Sequence, residues 1–139
     1  MLVSQDHISS IIPQKEPFVM IDELMSCDEI NSKTKFLVKA DNILIDNDEL
    51  SEAGLTENIA QPAAAGFGYL SQKNNKPVLV GFIAAIKNLE VFALPKIGEI
   101  IETTVAITNQ VFDVTIISGR VKRNGELLAS CEMKIFIKE

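Results

Sequence analysis

The sequence predicts an α+β domain in which an antiparallel sheet wraps around one long central helix. Residues 52–73 carry apolar side chains at intervals of three and four, with no charge between Glu57 and Lys73. A helix uncharged on every side is normally buried all round. Strand-like stretches follow to the end of the chain. In the last of them Cys131, Met133, Ile135 and Ile137 alternate with Glu132, Lys134 and Lys138, the pattern of a sheet with one wet side. Asn124-Gly125 just before it is a two-residue hairpin signal, because both turn positions need positive φ.

In chain order, residues 6–12 read as a short helix stopped by Pro13. Residues 18–26 and 32–39 read as strands, the second alternating Phe36 and Val38 against Lys35 and Lys39. Residues 41–49 are acidic and turn-like. In the long helix Leu55, Ile59, Ala63, Phe67 and Leu70 form one stripe, while Ala60, Ala64 and Gly68 on the opposite face are small. Pro62 removes one backbone hydrogen bond and crowds the carbonyl of Asn58, which predicts a kink or an irregular turn. Residues 77–92 hold an apolar run over 78–86 that suits a strand buried on both faces, and strands over 100–108, 112–122 and 127–137 follow. A strand of about eleven residues spans roughly 36 Å, enough to curl around a helix.

At 139 residues the chain fits a single domain, 1–139, with a core that needs no disulfide or metal. The net charge of −6 argues against nucleic acid as a partner. The longest uncharged stretch, 58–72, contains Pro62 and two glycines and falls short of the ~20 residues of a membrane span. Residues 1–10 lack the basic start and apolar run of a signal peptide, so a soluble cytoplasmic protein is expected. Cys27 and Cys131 lie far apart and His7 is the one histidine, so no metal site or cofactor is expected. Both cysteines read as reduced core or sheet residues, and His7 as a surface residue.

Glu57 is the last charge before fifteen uncharged residues. A carboxylate there is costly unless it is hydrogen-bonded or lines a wet cavity. The alternative is an acid near the helix start that complements the dipole at a solvated end. A second feature is the stretch 12–22, Ile-Pro-Gln-Lys-Glu-Pro-Phe-Val-Met-Ile-Asp, in which two prolines flank a polar tripeptide. On its own it reads as a rigid connector.

Together these segments resemble the bacterial β-hydroxyacyl-acyl-carrier-protein dehydratases. Residues 12–22 are similar to that family's Leu-Pro-His-Arg-Tyr-Pro-Phe-Leu-Leu-Val-Asp, with both prolines, Phe18 and Asp22 in register. Glu57-Asn58-Ile59-Ala60-Gln61 resembles its Glu-Ala-Met-Ala-Gln, and residues 80–100 resemble its strand and following turn. The resemblance implies a hot-dog fold over the whole chain and an active site at a dimer interface. There a histidine of one protomer and the helix acid of the other dehydrate a thioester on the phosphopantetheine arm of an acyl carrier protein. Carried over, the acid is Glu57 and the histidine position is Gln14, with Pro13, Phe18, Gln61, Ala64 and Phe82 as substrate-binding candidates. A carrier would find no global attraction in this acidic chain, but Lys33, Lys35 and Lys39 offer a local basic patch.

The departures are specific. Gln14 neither takes nor gives a proton at neutral pH. The Gly-His-Phe-Pro-Gly loop before the helix is missing, and Ser51 and Glu52 replace the Pro-Gly pair that precedes the helix acid. A divergent branch found with aryl-polyene and flexirubin-type pigment synthesis also lacks the loop and resembles this chain better. Four readings stay open: a dehydratase using Glu57 as lone acid/base with Gln14 orienting substrate; a half-active subunit paired with a histidine-bearing paralogue; a hot-dog acyl thioesterase using Glu57; and a non-catalytic acyl-binding protein. The run from Ala63 to Gly68 would either fill or shape the tunnel.

Overall fold

Helix α1 spans Glu52–Lys73, the stretch that the apolar spacing predicts. The computed structural model describes residues 1–77 and 80–138. Ser51 caps the helix by accepting the Gly54 N–H at 3.2 Å. Glu52 in the first turn and Lys73 in the last complement the dipole. Asn74 closes the far end by donating to the Leu70 carbonyl at 3.0 Å. The helix passes through Pro62 without interruption, so the irregular turn expected there does not form. Asn58 and Gln61, in the turn before the proline, are bonded to the chain that packs over them, which holds the backbone helical.

Among the described residues eight strands accompany the helix: β1 (Glu23–Cys27), β2 (Asn31–Leu37), β3 (Ile45–Asp46), β4 (Glu49–Leu50), β5 (Val80–Val91), β6 (Ile100–Val111), β7 (Val114–Arg123) and β8 (Glu126–Lys138). Six of them form one antiparallel sheet in the order β1-β2-β6-β7-β8-β5, and β3 and β4 pair separately. Leu55, Ile59 and Ala63 pack into the hollow of this sheet against Val105, Ile117, Val121, Met133 and Ile135. The helix is buried on nearly every side, as its uncharged faces require. On β8 the expected alternation holds, with Cys131, Met133 and Ile135 buried and Glu132 exposed. Asn124 and Gly125 make the β7–β8 turn with φ of 51° and 82°.

Several local expectations give way. Residues 6–12 form only one turn of 3-10 helix, Ile8–Ser10, since so short a segment before a proline cannot sustain α-helical bonding. The first strand begins at Glu23 rather than at 18, because the N–H and carbonyl of Met20 are bonded to side chains of α1 instead of to a neighbouring strand. Phe112 opens the β6–β7 turn, with φ 55° and a fully exposed side chain, instead of starting a strand.

The largest correction concerns the apolar run read as a strand buried on both faces. Val78 and Leu79 lie outside the described residues. In β5, however, Phe82 is 55 %, Ile83 37 % and Ile86 41 % exposed. The strand lies at the sheet edge, bonded on one side to β8. The opposite edge, β1, is covered by the N-terminal segment, where the Leu2 and Val3 N–H groups donate to Leu24. A long, apolar and uncovered edge is what a second chain adds to.

Candidate active site

A cavity of about 310 Å³ lies between one side of α1 and the ends of β5 and β8. Glu57, Ala60, Ala63, Ala64 and Phe67 form its helical wall. Gly81, Phe82 and Ile83 of β5 and Ile135 and Ile137 of β8 form the opposite wall, and Gln14 closes one side. Among the described residues Glu57 is the one ionisable group on this surface. The small side chains between Glu57 and Phe67 therefore shape an opening rather than fill it.

Glu57 is half-buried in the second turn of α1, past the solvated helix start where Glu52 stands. The Gln61 Nε2 group, one turn on, donates to Glu57 Oε2 at 3.4 Å. Gln61 is fully buried. Its Nε2 also donates to the Phe18 carbonyl at 2.8 Å, and its Oε1 accepts the Met20 N–H at 2.6 Å. Asn58, equally buried, donates to the Met20 carbonyl at 2.7 Å and accepts from the Thr103 hydroxyl. Buried amides are tolerated only when satisfied, and these two use their bonding capacity to tie the segment 18–20 to the helix. Asp22 continues the attachment by accepting the Leu37 N–H at 2.7 Å. Burial pushes its carboxyl above the ordinary value, against the lowering effect of that N–H and of Lys39.

Gln14 contrasts with this network. Its Oε1 is buried on the cavity wall with no hydrogen-bond partner among the described residues. An acceptor in that state forfeits about 1–3 kcal/mol, which a donor on a bound molecule would restore.

Of the residues singled out from sequence, Gln14, Glu57, Ala64 and Phe82 thus meet at one cavity. Pro13, Phe18 and Gln61 are not on its wall. Pro13 is half-buried, the Phe18 ring is 49 % exposed, and Gln61 sits beneath the surface holding the loop and Glu57. His7 is exposed and away from the cavity. Cys131 is buried under the sheet, where desolvation pushes its thiol up to about 11. The patch of Lys33, Lys35 and Lys39 is partly neutralised, since Lys33 pairs with Glu102 at 2.9 Å. Sequence reasoning missed Ile83, Ile135 and Ile137 as cavity residues, although the inward period of β8 marks the last two. It also missed the Asn58–Thr103 pair, signalled by an amide within an otherwise apolar helix.

A family model described as ApeP-like, ApeP dehydratase, matches residues 6–139. Among curated proteins no sequence matches. Of the solved structures, the dehydratase heterocomplex ApeI:P from Xenorhabdus doucetiae matches with a TM-score of 0.88 at 12 % identity, over 95 % of this chain and 91 % of that one. A hypothetical thioesterase with coenzyme A from Streptococcus pneumoniae follows at TM-score 0.66, 10 % identity and 84 % of each chain. The E. coli PaaI protein from the phenylacetic acid degradation operon matches at 0.62 and 15 %, over 82 % of this chain and 81 % of that one. These likenesses make the sheet-wrapped helix a hot-dog fold.

Proposed function

The chain belongs to the ApeP-like dehydratase family, and from that premise we propose that it is the acid-bearing subunit of a β-hydroxyacyl-thioester dehydratase. The observation that carries this reading is that Glu57 and the unpartnered Gln14 oxygen face one apolar cavity whose wall includes the uncovered edge strand β5. Dehydration needs a base to take the α-proton and an acid to give a proton to the departing β-hydroxyl, which leaves as water as the double bond forms. Glu57 supplies the proton-carrying carboxyl, held in place by Gln61. Gln14 accepts a hydrogen bond from the substrate and so orients it, but transfers no proton.

The missing base comes from a second subunit seated on β5. Phe82, Ile83, Ile86 and Leu89 would be covered by such a partner, whose own residues would then reach the cavity. The partner in this reading is a base-bearing dehydratase paralogue, and it agrees with the pairing named for the Xenorhabdus heterocomplex. The substrate arrives on the phosphopantetheine arm of an acyl carrier protein. Co-expression with such a paralogue tests the idea. A stable hetero-oligomer that converts β-hydroxyacyl carrier to enoyl product, where this chain alone does not, is the expected result. Recovery of homodimers alone, with equal activity, would overturn it.

One observation favours a second reading. A solitary carboxylate on an apolar wall also meets the minimal demand of thioester hydrolysis, as base or as nucleophile. Release of free thiol from acyl-carrier or acyl-CoA substrates, without enoyl product, would establish that activity instead.

A further inference from the structure

Glu57, Ala60, Ala64 and Phe67 share one side of α1 and all contribute to the cavity wall. Ten residues separate Glu57 from Phe67, so the helix sets them about 15 Å apart. Between them the helix offers only methyl groups. The facing wall, Gly81, Phe82, Ile83, Ile135 and Ile137, is apolar throughout. The polar groups, Glu57 and the Gln14 oxygen, contrast with the phenyl ring at the other end of this track. Phe67 is itself anchored, packing against the main core cluster. It is therefore a fixed stop rather than a swinging side chain.

We propose that Phe67 sets the length of acyl chain that the cavity accepts, with an optimum near ten carbons. The inference rests on the acyl-thioester reading of this site. With the reacting carbons at Glu57, the rest of the chain has one apolar direction to follow, toward Phe67. Subtracting about 3.5 Å of contact distance at each end of the 15 Å span leaves roughly 8 Å. An extended hydrocarbon advances about 1.25 Å per carbon, the projection of a bond of ~1.5 Å, so some six or seven carbons fit beyond the β-carbon.

The test is calorimetric binding of non-hydrolysable thioether analogues of acyl-pantetheine with six, ten and fourteen carbons, by the full chain alone and with its base-bearing partner. For the wild type, affinity is expected to rise about two- to four-fold per methylene up to ten carbons and to be about ten-fold weaker at fourteen. Phe67→Ala should strengthen binding of the fourteen-carbon analogue at least ten-fold while leaving the six-carbon one within two-fold. Phe67→Leu, the milder change should the alanine variant fold poorly, should move the optimum in the same direction by about two carbons. A merely structural role for Phe67 would weaken all three lengths alike, and that result overturns the proposal. An unchanged length profile overturns it too. Failure of every analogue to bind either protein would overturn the acyl-thioester reading itself.

Discussion

Replacing Gln61 with glutamate keeps the shape of the side chain and inverts one of its bonds. In the native chain the fully buried amide accepts the Met20 N–H at 2.6 Å, donates to the Phe18 carbonyl at 2.8 Å and lies 3.4 Å from a Glu57 oxygen. An ionised carboxylate keeps the first bond, opposes the Phe18 carbonyl and adds a like charge beside Glu57. Protonated, it can donate its O–H to Phe18 and restore the pattern. Burial and the neighbouring carboxylate both raise the folded-state pKa of the introduced group. The sign follows: stability is present below the unfolded value of about 4.3 and is lost as pH rises through the raised folded value. An upward shift of about two units, ordinary for a buried carboxyl near a like charge, costs roughly 3 kcal/mol at neutral pH. With a urea slope of about 1.5–2 kcal/mol per molar, the unfolding midpoint falls by about 1.5–2 M. Urea titrations followed by circular dichroism at pH 5 and pH 8 read this directly. The gap to wild type should be small at the lower pH and large at the higher. A gap equal at both would refute the placement of this amide between the loop and Glu57. Gln61→Ala should instead cost about 2–4 kcal/mol at both, from two orphaned backbone groups.

Other consequences follow from local geometry. A Cβ on Gly68 would stand 1.7 Å from the Ile11 carbonyl oxygen, so Gly68→Ala should lose about 1–3 kcal/mol, and a variant as stable as wild type in denaturant would contradict that contact. Phe112 holds a bulky side chain at positive φ with nothing around it, so Phe112→Asn should stabilise by about 1 kcal/mol, raising Tm by some 3–5 °C; an unchanged or lower Tm would count against a strained turn. The Cys131 thiol, pushed up from 9.0 to about 11 by burial and then by Glu132, should resist iodoacetamide at pH 9 while half-buried Cys27 reacts first. Because its pKa is raised in the folded state, its contribution to stability is present below pH 9.0 and lost as pH climbs toward 11. Cys131→Ala should flatten that alkaline loss, and an equally steep loss in the variant would assign it elsewhere.

The helix was legible from end to end because its signals are local: the spacing of Leu55, Ile59 and Ala63 and the lack of charge between Glu57 and Lys73. The Asn124-Gly125 turn was legible for the same reason. Residues 18–22 were not, since their apolar run looks like a strand, whereas Met20 is bonded to Gln61 and Asn58, some forty residues away. Nor was the state of β5. An apolar run records hydrophobicity but not position in the sheet, and β5 lies at an edge with Phe82, Ile83 and Ile86 exposed. Glu57 and Gln14 were paired by the family resemblance rather than by spacing, and both line one cavity. The sequence held no sign that Gln61 would support Glu57 rather than face the cavity, because that depends on which side of α1 the loop 14–20 crosses.

The central claim is that Glu57 moves a proton in a composite dehydration site. It is tested most directly by turnover of a β-hydroxyacyl carrier substrate by the complex of this chain with its base-bearing paralogue, wild type against Glu57→Gln. The substitution preserves size and should leave assembly intact while lowering the rate of enoyl formation at least about 10²-fold. An assembled Glu57→Gln complex that forms enoyl product at the wild-type rate would contradict the account.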